Sequence, residues 1–138
     1  MKILITGING FIGKNLLPNL IKKKNYKIMV IVKKNKNVLP KNIEIIKSDI
    51  SKLNNKNLDE IKKFKPEILI NLAWYGIPNF SYTNCLKNLD MHINFINNIY
   101  QVSSIKKIIM TGSCWEYPDN AGRCKEIDTV KLNSFFSW

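Results

Sequence analysis

The chain of 138 residues holds one arginine, one histidine and three cysteines, and no apolar run approaches the roughly 20 residues that cross a membrane as a helix. Each shortage excludes something. Arg123 is the only arginine among 22 basic residues. Base-edge reading and bidentate phosphate contact favour arginine over lysine, so the formal net charge of +12 reads as a solvated lysine-rich surface and not as a nucleic-acid footprint. Such a surface still attracts anionic ligands. His92 stands alone, and Cys85, Cys114 and Cys124 form no CxxC pair, so no metal-ligand spacing is present and the thiols read as reduced. The opening MKILITG lacks the apolar core of a signal peptide. A soluble, cytoplasmic chain with no membrane partner is the expectation.

What is present is a packed domain. Hydrophobic residues make up 45% and charged residues 23%, a globular balance, and the length suits one domain. Lys2 to Thr6 is a short β-branched run ending in glycine, and from Phe11 the residues Phe11, Ile12, Leu16, Leu17, Leu20 and Ile21 follow helical spacing. Pro18 falls inside that helix and predicts a kink. Further strands are expected at Lys27 to Val32, Ile43 to Ile46, Ile68 to Leu72 and Lys107 to Thr111. Helices are expected around Leu58 to Phe64 and along Leu89, Ile93, Ile96 and Tyr100, the last stripe marking the most amphipathic helix. Residues 33–42 and the stretch from Gly112 onward read as loops. Strands alternating with helices imply right-handed crossovers, hence an α/β doubly wound parallel sheet of Rossmann type.

Gly7, Gly10 and Gly13, in TGINGFIG, lie between the first strand and the first helix. Glycines there allow a tight turn and close backbone approach, and a helix N-terminus offers unpaired N–H groups to a pyrophosphate. The end of the second strand reads Val32, Lys33, Lys34, where an NAD enzyme generally has an acid for the ribose hydroxyls. Lysines at that place suit a 2′-phosphate, so NADP is favoured over NAD; the alternative is that both are surface lysines.

The GxxGxxG spacing resembles that of the extended short-chain dehydrogenase/reductase family, which holds nucleotide-sugar epimerases, dehydratases and reductases. Further segments agree in order: Ser48 and Asp49 after the third strand, NLAWYG at Asn71 to Gly76, Asn88 in the long helix, and TGSCWEYP around Ser113. The resemblance implies cofactor contacts from Gly7, Asn9, Gly10, Phe11, Ile12, Gly13, Lys33, Asp49, Ile50, Leu72, Ala73, Trp74 and Asn88. Asp49 takes the adenine-amino role, with a helix cap as its alternative. Ala73 is the small residue that lets the dinucleotide pass, and Asn88 braces the active-site geometry. Trp74 and Tyr75 either touch substrate or pad the loop. Ser113 takes the catalytic hydroxyl position, beside the reacting carbinol or carbonyl. Cys114 has no partner base and reads as a small buried thiol, and His92 reads as structural. The two loops NLAWYGIPNF and GSCWEY resemble a subgroup acting on nucleotide-linked 4-keto-6-deoxyhexoses in surface-polysaccharide synthesis.

The chain also departs from that family. Members carry a Tyr-x-x-x-Lys pair roughly 25 residues beyond the serine, the lysine lowering the tyrosine pKa so that it can shuttle a proton. Here that place falls near Phe136, and no tyrosine follows Tyr117. The expectation is an incomplete NAD(P)-binding domain over residues 1–138, truncated after about the fifth strand, with the substrate domain absent and the chain alone inactive; a homodimer belongs to the full-length form. A catalytically inactive dinucleotide-binding module and a non-functional gene remnant remain as alternatives.

Overall fold

The computed structural model describes residues 1–34, 39–117 and 122–131. Among these, five strands and three α-helices alternate: β1 (Lys2–Thr6), α1 (Phe11–Ile21), β2 (Lys27–Val32), β3 (Ile43–Lys47), α2 (Asn55–Phe64), β4 (Ile68–Asn71), α3 (Tyr82–Val102) and β5 (Lys107–Met110). Short 3-10 turns follow β3 (Ile50–Lys52) and β5 (Cys114–Glu116). The sheet is parallel throughout, in the order β3-β2-β1-β4-β5, so the expected doubly wound architecture is present. No helix among the described residues is long and apolar enough to cross a membrane.

Residues two apart on a strand face the same way, and the strands divide their apolar side chains accordingly. Leu4, Met29, Ile31, Ile46 and Leu69 form one core with Ile61 and Phe64 of α2 and Met91, Phe95 and Ile99 of α3. Ile3, Ile5, Ile28, Val30, Val32, Ile43 and Ile70 form the other, closed by Leu17 of α1 with Leu16 and Leu20 beside it. β1 and β4 are paired neighbours whose onward connections run to opposite sides of the sheet, which opens a crevice at their carboxyl ends.

One expectation holds and two need correction. α1 runs from Phe11 through Pro18 to Ile21 as its apolar spacing predicts: Pro18 lies on the exposed side, where water can reach a carbonyl left without its amide, and Asn15 and Asn19 return their side-chain amides to the Phe11 and Asn15 carbonyls. α2 starts three residues before Leu58 because Asn54 and Asn57 form a reciprocal capping box. α3 starts at Tyr82, and its stripe Leu89, Ile93 and Tyr100 is exposed; only Ile96 packs against the core. The face against the sheet is Asn84, Cys85, Asn88, Met91, His92, Phe95 and Ile99. Its three polar members hide it from any count of apolar spacing.

Phe95 is fully buried in the core under α3. Truncation of Phe95 to alanine is expected to destabilise the fold by about 3–5 kcal/mol through lost burial and a residual cavity. Urea unfolding followed by far-ultraviolet circular dichroism measures it, and a loss under about 1 kcal/mol would contradict this packing.

Candidate functional site

The turn after β1 is shaped by what its glycines lack. Gly7 has φ +72°, and a Cβ there would sit 2.4 Å from the Leu72 carbonyl carbon; a Cβ on Gly13 would sit 2.4 Å from the Ile8 Cα. The turn is thus pressed against the loop after β4 on one side and against the first turn of α1 on the other. The Gly10 amide donates to the Gly7 carbonyl at 3.0 Å. Gly10 is also the N-cap of α1, and no side chain caps the helix there. The helix therefore presents backbone N–H groups and the positive end of its dipole without an acidic residue in its first turn. At Gly10 an added Cβ meets only the Gly7 carbonyl oxygen, at 3.2 Å.

The facing loop, 72–76, is fixed from beneath by polar side chains. The Ala73 amide donates to the Thr6 hydroxyl (3.3 Å), which donates to Asn71 Oδ1 (2.6 Å), while Asn71 Nδ2 lies 2.9 Å from His92 Nδ1. Donor logic along this chain makes Asn71 the donor and Nδ1 the acceptor, so the neutral ring carries its proton on Nε2. Nε2 is buried and meets no acceptor at full hydrogen-bonding geometry. Burial depresses the His92 pKa below its ordinary 6.5, opposed only in part by the Ala73 backbone. One turn earlier on α3, Asn88 accepts from the Tyr75 amide (2.8 Å) and donates to the Tyr75 carbonyl (2.9 Å). One turn earlier again, Asn84 donates to the Tyr75 and Asn79 carbonyls. Residues 84, 88 and 92 make one ladder, since positions four apart share a helix face.

Between turn, loop, α3 and the end of β5 lies a cleft of about 540 Å³, within the range of small-molecule sites. Gly7, Gly10, Phe11, Ile12, Gly13, Leu72, Trp74 and Ser113 line it, together with Cys85, Leu86, Leu89, His92, Met110 and Glu116, which the sequence reading did not place in a site. Asn9, Lys33, Asp49, Ile50, Ala73 and Asn88 do not line it. Asn9 donates to the Lys34 carbonyl at 3.0 Å, Ile50 belongs to the core, Ala73 packs against that core, and Asn88 is fully buried with its amide committed to Tyr75 and Asn84.

Lys33 and Asp49 pair with each other at 2.7 Å. Asp49 also caps the turn at Ile50–Lys52 by accepting from the Ser51 amide, the alternative noted for it from sequence. Burial acts to raise the Asp49 pKa, but the bonds from Lys33 and Ser51 outweigh it and hold the carboxyl below its ordinary 3.8. The Lys33 side chain is 55% exposed, so the ion pair is worth roughly 0.2–1 kcal/mol and exchanges partners easily.

Ser113 is the N-cap of the turn after β5: its hydroxyl accepts from the Trp115 amide (3.2 Å), and Glu116 accepts from the Ser113 amide (2.8 Å). S-x-x-E is a capping-box signature, so this role was readable in the sequence. The hydroxyl proton remains able to donate towards the cleft. Cys114 is exposed, which corrects its expected burial, because the turn is a surface one. Phe136 and the segment around it lie outside the described residues.

A parallel doubly wound sheet, a glycine turn opening an uncapped helix and a cleft at the strand carboxyl ends together make the arrangement of a Rossmann-type domain, in which dinucleotides generally bind at that crevice. The chain belongs to the NAD dependent epimerase/dehydratase family, whose model matches residues 3–135. It is 30% identical over 136 residues to Protein CapI of Staphylococcus aureus, covering 89% of this chain and 41% of that protein. Among solved structures it resembles the Helicobacter pylori ADP-L-glycero-D-manno-heptose-6-epimerase, with TM-score 0.73, 21% identity, 99% of this chain and 46% of that one. A UDP-glucuronic acid 4-epimerase from Bacillus cereus, solved with UDP-glucuronic acid and NAD, matches with TM-score 0.73 and 20% identity over 99% of this chain and 48% of that one. The chain thus spans less than half the length of these relatives.

Because His92 is neutral in the fold and titrates near 6.5 when unfolded, its contribution is present above that pH and is lost as pH falls towards the depressed folded value. Unfolding free energy is therefore expected to decline below about pH 6.5, and His92→Asn, which keeps an acceptor for Asn71, is expected to flatten that decline. Urea midpoints between pH 5 and 8 test it; identical pH profiles would count against a neutral His92.

Proposed function

We propose that residues 1–138 form the dinucleotide-binding domain of an NAD(P)-dependent enzyme acting on nucleotide-linked sugars, most specifically a reductase or epimerase of 4-keto-6-deoxyhexoses, in the cytoplasm. The observation that carries this reading is the Gly7–Gly13 turn. Its glycines leave room that a Cβ would fill, and its uncapped helix end suits a pyrophosphate, so the residues present fit a dinucleotide. Bound there, the nicotinamide would supply hydride acceptance or donation. Phe11 and Ile12 would meet the phosphates through their amides, while Leu72 and Trp74 would wall the passage from which water is excluded. Ser113 would donate its hydroxyl proton to the reacting oxygen from the end of β5. The substrate portion corresponds to the part of the relatives that this chain does not span. Complexes of similar proteins with UDP-glucose and NAD, and with UDP-glucuronic acid and NAD, support the ligand class.

NADP is the favoured cofactor in this reading, since Lys33 and Lys34 stand where an acid would bind the ribose hydroxyls of NAD. A specific observation supports the second reading, an inactive binding module: the Ser113 oxygen already serves as a cap for the turn that follows β5.

Gly10 separates folding from binding, because an added Cβ there meets only the Gly7 carbonyl oxygen at 3.2 Å, whereas at Gly7 and Gly13 it would meet backbone at 2.4 Å. Gly10→Leu is expected to leave the thermal midpoint within a few degrees and to remove dinucleotide binding by calorimetry, whereas Gly7→Ala is expected to unfold the turn. Unchanged affinity in Gly10→Leu would refute the assignment.

A further inference from the structure

We infer that Lys87, from the second turn of α3, joins Lys33 across the ring of Tyr75 to form a seat for a phosphomonoester, the adenosine 2′-phosphate of NADP. The inference rests on the dinucleotide reading above and adds a residue on an element that reading did not use.

The two ammonium groups lie 5.2 Å (Lys33) and 4.0 Å (Lys87) from the centroid of the Tyr75 ring, so they are no farther apart than those two distances together. The ring is a fixed post. Its backbone is held at the amide and the carbonyl by Asn88 and again at the carbonyl by Asn84. An aromatic face attracts cations but cannot neutralise them. The carboxylate at hand is Asp49, paired with Lys33 and bonded to the Ser51 amide. Lys87 forms no ion pair among the described residues, and Asp90, three residues along the helix, accepts from Asn94 instead. Two cations gathered on one ring against one carboxylate leave a local surplus of positive charge. A phosphate near −2 draws an exposed lysine more strongly than a single carboxylate does. Because Lys33 is 55% exposed, it can turn from Asp49 to such a group without disturbing the core.

Position selects the 2′-phosphate over the pyrophosphate. Lys33 follows β2, its partner Asp49 follows β3, Tyr75 follows β4 and Lys87 lies on α3, whereas the glycine turn offers its amides at the end of β1. A ligand with two separated anionic groups can fill both; NAD fills only the glycine turn. Lys87 thus acts on discrimination between the two cofactors and leaves common affinity unchanged.

The test measures dissociation constants of NADP, NAD and inorganic phosphate by calorimetry for the parent chain, Lys87→Gln and Lys87→Arg. Lys87→Gln is expected to weaken NADP about tenfold, to leave NAD within about twofold, and to be rescued largely by Lys87→Arg, since charge and not shape is required. Equal losses for both dinucleotides, or no loss for NADP, would overturn the seat while leaving the dinucleotide site intact. Loss of inorganic phosphate alone would show an adventitious anion site and would also overturn it. A parent chain that binds neither dinucleotide would remove the underlying reading and the seat with it. Lys87 is exposed, so an unchanged thermal midpoint is the folding control.

Discussion

The close approach of Gly7 to the Leu72 backbone is the contact on which the rest of the site depends. Two parallel strands leave the sheet side by side, and their onward chains must part over a gap too narrow for a methyl group. That contact sets the mouth of the crevice, and Gly13 repeats the condition in the first turn of α1, where the helix end is drawn close over Ile8 and the Gly7 carbonyl. Neither residue needs to touch a ligand to be required. Together they aim the amides of a helix end into a cleft that a bulkier turn would push away.

The opposite wall is built differently. Where the glycine turn relies on missing atoms, the β4 loop relies on buried polar ones: Thr6, Asn71, His92, Asn88 and Asn84 are all linked to that loop or to the strand end below it. Hydrogen bonds in such a setting fix geometry more than they add net stability, because an unmade one is costly. α3 therefore serves as a scaffold for the loop and as a lid for the core along one face. That dual use explains why asparagine, a poor interior helix residue, recurs on it.

How much of this the sequence displays follows from the range of the interactions. β1 and β2 have the bounds expected of them because β-branched runs bordered by glycine or lysine define strands locally. The glycine turn is legible for the same reason, its three glycines lying within eight residues between a strand and a helix, although the Leu72 backbone that presses on Gly7 is distant in sequence. The start of α2 is harder, since Asn54 and Asn57 look like loop until each is seen to bond the other. The exposed stripe of α3 reads as a core stripe because apolar spacing does not say which of two faces meets the sheet. Lys33 and Asp49 come from adjacent strands, and Tyr75 and Lys87 from different elements, so only the strand order brings the cluster together. The family resemblance supplies the kind of ligand but not these pairings.

Among the described residues β5 is one of two edge strands, paired on one side only, and three of its four residues are exposed. Strands enclosed on both faces lose their amide protons to solvent only when the whole domain opens, but an edge strand covered so thinly exchanges through small local openings of much lower free energy. Ser113 hangs from the end of that strand. The hydroxyl assigned to chemistry is thus carried by the least protected part of the sheet, while the amides assigned to the cofactor belong to its centre. Anything that packs onto β5, whether substrate or further polypeptide, gains its hold partly by slowing that exchange, so hydrogen exchange at residues 107–110 is a direct gauge of when the reacting end of the cleft becomes ordered.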